Sequence, residues 1–163
     1  AVGEDLSALD DAVERLSLYV GPGQRIGIDA VETCVTRVRT ESIWSLVDAI
    51  SVKNSSLALG AASSLLADRE PALKILAMVS RQLRMIAKMR QALGTGLSPE
   101  DAAREAGAPP FKARELERSA RRFTLQHLAT AFSVVSETDG LLKGSKRPDD
   151  ALLQEAVLRL CAP

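Results

Sequence analysis

Apolar residues recur along most of this chain at steps of three and four, the spacing that stacks side chains on one side of an α-helix. Long stretches of strand-like alternation are lacking. The longest run, Glu70 to Leu93, carries Leu73, Leu76, Val79, Leu83, Ile86 and Leu93 along one side. Pro71 sits in a first turn, where its missing N–H costs nothing, and Gly94 and Gly96 mark the end. This run predicts a single long helix, apolar on one side, against which shorter helices pack.

The flanking pattern predicts the rest. A helix from about Glu4 to Val20 shows Leu6, Leu9, Val13, Leu16 and Val20 in a coiled-coil-like seam, broken by Gly21-Pro22-Gly23. A short helix then opens at Ile28-Asp29 and runs to about Arg37, with Asp29 as N-cap and Glu32 completing a capping box. These two bury too little to stand alone, so they must lean on other structure. Ser42 is read as the cap of a helix through Trp44 to Ile50, and Asn54 as the cap of the next, to about Leu66. Ser98 with Pro99 starts a helix stopped by Gly107. Beyond the Pro109-Pro110 corner, a helix buries Phe111 and Leu116; Thr124 caps a run to Leu142, and Pro148 starts the last helix. About nine helices with short connections point to an all-α, antiparallel bundle.

Composition agrees: 46% of residues are apolar and only 3% aromatic, so the core is built from Leu, Ala, Val and Ile. With 21 basic and 21 acidic residues, no net field draws the molecule to nucleic acid or membrane, and binding of that kind needs a local patch. Two isolated cysteines, Cys34 and Cys161, without a CxxC or a leader-like segment, fit free thiols in the cytoplasm. No apolar run approaches the roughly 20 residues a membrane span needs.

Two patches stand out. Lys74, Arg81, Arg84 and Lys88 fall at i, i+7, i+10 and i+14 on the long helix, and no acidic residue occurs between Pro71 and Pro99. Such a stripe suits the acidic helices of a neighbouring subunit or a phosphate backbone. Arg114, Arg118 and Arg121 line the outside of another helix. Together with the Ser98–Gly107 helix they outline a loose helix-turn-helix, although Glu115 and Glu117 interrupt the positive face and the Pro-Pro corner is stiff.

Catalytic signatures do not assemble. The chain has no GxxxxGK[ST] loop, and Gly140 to Lys146 is a poor imitation at a helix end. His127, the one histidine, lies among Leu125, Leu128 and Phe132 without partners at ligand spacing and is read as a structural mid-helix residue. Asp139 and Lys143 form an i,i+4 surface pair. No catalytic residue, cofactor site or metal site is assigned.

Several short segments nevertheless resemble one family. Ser42-Ile-Trp-Ser-Leu-Val-Asp-Ala-Ile50, Arg81-Gln-Leu-Arg84, Pro110-Phe111-Lys112, Ala120-Arg121-Arg122-Phe123-Thr124, and Glu137-Thr-Asp139 with Lys143 are similar, in order and spacing, to the C-terminal part of the delta subunit of the bacterial DNA polymerase III clamp loader. Gly3-Glu-Asp5-Leu6 and Leu16-Ser-Leu18-Tyr19 resemble the stretch before it. The resemblance implies an AAA+-like subunit that does not itself hydrolyse ATP. Residues 1–39 would be the end of a small helical lid domain and 40–163 a helical collar domain. Its implied partners are the gamma/tau ATPase subunits and delta-prime, in a five-membered ring that loads the sliding clamp during DNA replication. The family's clamp-binding N-terminal domain has no counterpart here, so the sequence reads as a fragment whose tie to the clamp, and through it to DNA, is indirect. A helical DNA-binding protein using the two basic faces is the alternative.

Overall fold

Ala72–Gly94, α4, meets almost every other helix, which follows from how its sequence is distributed around the axis. Ile75, Leu76, Val79, Leu83, Met85, Ile86, Met89 and Ala92 are all buried, and together they cover rather more than half of its circumference. Each side chain of that size is worth about 1.5–3 kcal/mol when removed from water. Leu73 is 37% exposed and Leu93 half-buried, so the buried surface is centred away from the stripe expected from leucines alone, and the three methionines and Ile75 fill the difference.

The molecule is described here by a computed structural model, which covers the backbone of residues 6–162 and, within it, the side chains of 9–31, 33–34, 42–109 and 111–162. Around α4 lie α1 (Leu6–Val20), α2 (Ile28–Ser51), α3 (Ser55–Ala67), α5 (Pro99–Ala106), a 3-10 turn (Pro110–Lys112), α6 (Ala113–Arg122), α7 (Leu125–Gly144) and α8 (Asp149–Cys161). The fold is all-α, with no strand among the described residues. α4 packs against α2, α3, α5, α6, α7 and α8, while α8 returns to cover α3 and α7. Among the described residues α1 packs on α2 alone, and its Leu9, Val13, Leu18 and Tyr19 are all substantially exposed. The helix start at Glu4, the Gly3–Asp5 segment and the Glu32 side chain lie outside the described residues.

Local signals set the helix ends. Asn54, Ser98 and Thr124 cap as expected: Asn54 Oδ1 accepts from the Leu57 N–H at 3.0 Å, and Ser98 and Thr124 accept from Asp101 and His127 N–H groups. Four helices close in the same way, with a left-handed residue and paired bonds back to the last turn. After α4 and α5 that residue is Gly96 or Gly107; after α2 and α3 it is Lys53 (φ 56) or Arg69 (φ 57). Asn54 N–H reaches Ala49 O at 3.0 Å, and Glu70 N–H reaches Leu65 O at 3.2 Å, each closing its helix without a glycine.

Four expectations are corrected. Ser42 is interior to α2, which runs unbroken across residues 37–42 because no glycine or proline interrupts Arg37-Val-Arg-Thr-Glu-Ser42. Asp29 sits in the first turn of α2, where its charge suits the helix dipole, and Gly27 is the cap position. Phe111 is 70% exposed while Lys112 is buried, because the Pro109-Pro110 corner turns the following 3-10 residues the other way. His127 belongs to the first turn of α7, not its middle.

Candidate functional site

Only one narrow sector of α4 faces outward, and Lys74, Arg81, Arg84 and Lys88 occupy most of it. Lys74 is partly spoken for: its ammonium lies 2.9 Å from the carboxylate of Glu70, which immediately precedes the acid-free stretch. Arg84 donates to the Ser80 hydroxyl one turn back at 2.9 Å, a neutral contact that leaves its charge uncompensated. Among the described residues Arg81 and Lys88 make no ion pair. The result is a rod of positive charge about two turns long, from Arg81 to Lys88, on the most rigidly seated helix of the fold.

The arginines of α6 behave differently. Arg121 is held by Glu117, Nη2 to Oε1 at 2.7 Å. Arg114 and Arg118 are exposed without an ion pair among the described residues, and Glu115 and Glu117 sit between them. Arg122, one residue beyond, ties α6 to α2 through Asp48 at 3.0 Å. α4 and α6 pack through their apolar faces, and a polar bond, Arg90 Nη1 to Ala120 O at 3.1 Å, joins them. The two expected basic sets are therefore separate features; no hydrogen bond or ion pair among the described residues links one to the other.

A polar groove of about 280 Å³ opens between α2 and α6, lined by Trp44, Asp48, Lys112, Glu115 and Arg118 among others. Lys112, with a side chain only 8% exposed, is 2.8 Å from Glu115 and lies over the Trp44 ring. Sequence reasoning missed this lysine, since a single charge after a Pro-Pro corner carries no sign of burial. Gln82 was missed too: it is buried on α4, and its side-chain oxygen has no hydrogen-bond partner among the described residues.

The remaining polar groups form structural pairs. Lys143 and Asp139 pair at 2.6 Å, as the sequence spacing predicts. Arg159 of α8 holds Glu137 of α7 at 2.6 Å, and this hydrogen bond and charge keep the Glu137 carboxyl below its usual range while pushing Arg159 up. Burial alone pushes the Cys161 thiol up. Among the described residues no three His, Cys, Asp or Glu side chains gather as metal ligands, and no helix is long and apolar enough to cross a membrane. His127 Nε2 lies 3.4 Å from the Lys53 ammonium. Among the described residues no nucleophile, base and orienting group converge in the groove between α2 and α6.

Comparison with known proteins supplies what the side chains do not. The family described as DNA polymerase III delta subunit, C-terminal domain, matches residues 40–160. DNA polymerase III subunit delta of Bacillus subtilis (strain 168) is 24% identical over 159 residues, which make up 98% of this chain and 46% of that protein. Among solved structures, the Bacillus subtilis DNA clamp loader delta protein (YqeN) matches with a TM-score of 0.71 at 24% identity, over 96% of this chain and 46% of that one. The structural likeness, at that identity, speaks for the fold, and this chain spans about half the length of the relatives it matches. Because the family match runs through most of the chain, from the middle of α2 to the last turn of α8, this chain belongs to the DNA polymerase III delta subunit family, through its C-terminal domain.

Proposed function

We propose that this chain is a non-catalytic assembly module of a bacterial clamp loader, working in the cytoplasm during DNA replication. Residues 40–163 act as the collar domain and residues 1–39 as the end of a lid domain, with α2 crossing the boundary between them. The observation that carries this reading is the outward sector of α4: Arg81, Arg84 and Lys88 stand on a helix without a single acidic residue. Burial of the other sides of α4 fixes the spacing of those cations, as register with a partner's acidic face requires. Apolar surface at such an interface contributes roughly 25 cal/mol per Å² buried, and the cations select the partner.

In this reading the partners are the ATPase subunits of the gamma/tau type and delta-prime, arranged in a pentameric ring. ATP-driven motion belongs to other domains, and contact with the sliding clamp belongs to a region of the relatives that this chain does not span. The exposed Leu9, Val13, Leu18 and Tyr19 of α1 support the view that the first helices pack against further structure.

Arg84→Glu in the full-length subunit tests the proposal. Its co-purification with the ATPase subunits is expected to weaken while helicity stays the same; undiminished assembly would remove the stripe from the interface. A second reading, direct DNA binding through Arg114 and Arg118, draws on their exposure and lack of ion pairs. Salt titration separates the two, because phosphate contacts make affinity for duplex fall steeply with salt, whereas an assembly module has little affinity for duplex to lose.

A further inference from the structure

A second groove, of about 290 Å³, lies where the C-terminal end of α2, the first turn of α7 and the last turn of α8 meet. Its lining is one-sided. Lys53, His127, Gln126 and Arg159 contribute nitrogen, Thr130 a hydroxyl, Phe123 and Leu160 apolar wall, and among the described residues no carboxylate lines it. Asp48 pairs with Arg122 and Glu155 with Arg147 outside the groove, while Glu137 already holds one nitrogen of Arg159, which leaves Lys53 as the groove cation with no carboxylate partner among the described residues. The N-terminus of α7 brings the positive end of its dipole there, while the C-terminal ends of α2 and α8 bring negative ones, so the cationic character of the groove rests on its side chains.

Lys53 is the telling member. An ammonium can only donate, and its partner among the described residues is the imidazole Nε2 of His127 at 3.4 Å, a long contact that leaves the charge of Lys53 uncompensated. Val52, 46% exposed, and Leu125, 73% exposed, are sequence neighbours of lining residues and leave apolar surface open to solvent. Nucleic acid would call for cations repeated along a track. Here they converge on one point beside apolar walls, which fits a single carboxylate on a chain that also carries an apolar side chain.

We propose that this groove seats an acidic segment of a protein partner, its carboxylate received by Lys53, His127 and Arg159 and an adjacent apolar side chain covering Phe123, Val52 or Leu125. The site lies away from the α4 stripe and stands independently of the assembly reading above.

The lone histidine makes the test direct. With the 163-residue chain labelled at histidine, the capped peptide acetyl-Leu-Glu-Leu-amide is titrated at fixed pH while the single imidazole signal is followed by NMR. The expected result is a saturable shift that acetyl-Leu-Gln-Leu-amide does not produce. Equal shifts from the two peptides, or none from either, would overturn the proposal. So would inorganic phosphate saturating the site while the glutamate peptide does not, which would make it a phosphate site. Lys53→Gly is the decisive variant because Lys53 occupies a left-handed position that glycine prefers, so removal of the ammonium should not weaken the fold. At least a tenfold loss of peptide affinity with unchanged or higher thermal stability is expected; retained affinity counts against Lys53 as a receiver of the carboxylate and overturns the assignment.

Discussion

The ammonium of Lys112 stands 5.6 Å above the centre of the Trp44 ring, bringing the 3-10 turn before α6 onto the face of α2. Glu115 completes the arrangement at 2.8 Å, so a nearly buried cation has an aromatic face on one side and a carboxylate on the other. A desolvated contact of this kind is worth up to about 2 kcal/mol.

Lys112→Met keeps the length of the side chain and removes the charge. It should destabilise the protein by about 1–2 kcal/mol through loss of the ring contact, since half-exposed Glu115 can return to water. Lys112→Glu, which sets a buried carboxylate beside Glu115, should cost more than 3 kcal/mol. Denaturant melts followed by the fluorescence of Trp44, the single tryptophan, read both the loss and the change around the ring.

The bridge between Glu137 and Arg159 gives stability a definite pH dependence. Glu137 titrates lower in the folded chain than in the unfolded one, so its contribution is present above the unfolded carboxylate range and disappears as pH falls through the lowered folded value. Glu137→Gln should therefore melt below the parent at neutral pH, and the gap should close in acid. A constant gap from pH 7 to pH 3 would show that the bridge is not its source.

Backbone conformation predicts gains as well as losses. Arg69, at φ 57, holds the left-handed position after α3 that glycine holds after α4 and α5, so Arg69→Gly should stabilise the fold by about 0.5–1 kcal/mol. The reverse change applies inside helices. Gly60 in α3 is exposed with open space where a Cβ would stand, and Gly60→Ala should stabilise by about 0.5–1 kcal/mol. Thermal melts of the two single variants and their combination should show additive shifts, because the sites share no contact partner.

The two cysteines should differ in reactivity. Cys161, the last residue of α8, is buried and its thiol is held away from the thiolate form, whereas Cys34 is partly open. Under native conditions a thiol reagent should label Cys34 first, with Cys161 following only at the rate of unfolding. Mass mapping after timed labelling checks the order.

What could be read from the sequence was whatever a few neighbouring residues decide together. Asn54, Ser98 and Thr124 cap because a short polar side chain at the right point meets its own helix, and the apolar spacing gave α4 its place as hub. The misreadings share one cause. Ser42 has the chemistry of a cap, but nothing before it breaks the helix; Phe111 has the chemistry of a core residue, but the corner before it decides which way it points. Lys53 and Arg69 end helices through a conformation their side chains do not announce. Of the candidate surface, the charge of α4 was legible and the claim of Glu70 on Lys74 was not, because Glu70 was taken as the opening of the helix and not as a buried partner.

The position of α8 bears on how the chain matures. Its Leu152, Leu153, Ala156 and Val157 are buried where it lies against α3, α7, α4 and α2, so the core stays open on that side until the last helix is in place. During synthesis the earlier helices emerge with their greasy sides uncovered, and closure must wait until α8 has itself emerged from the ribosome. Nascent copies are therefore exposed to premature association, and a stop codon anywhere before Leu152 would yield a product for the quality-control proteases instead of a weakened subunit.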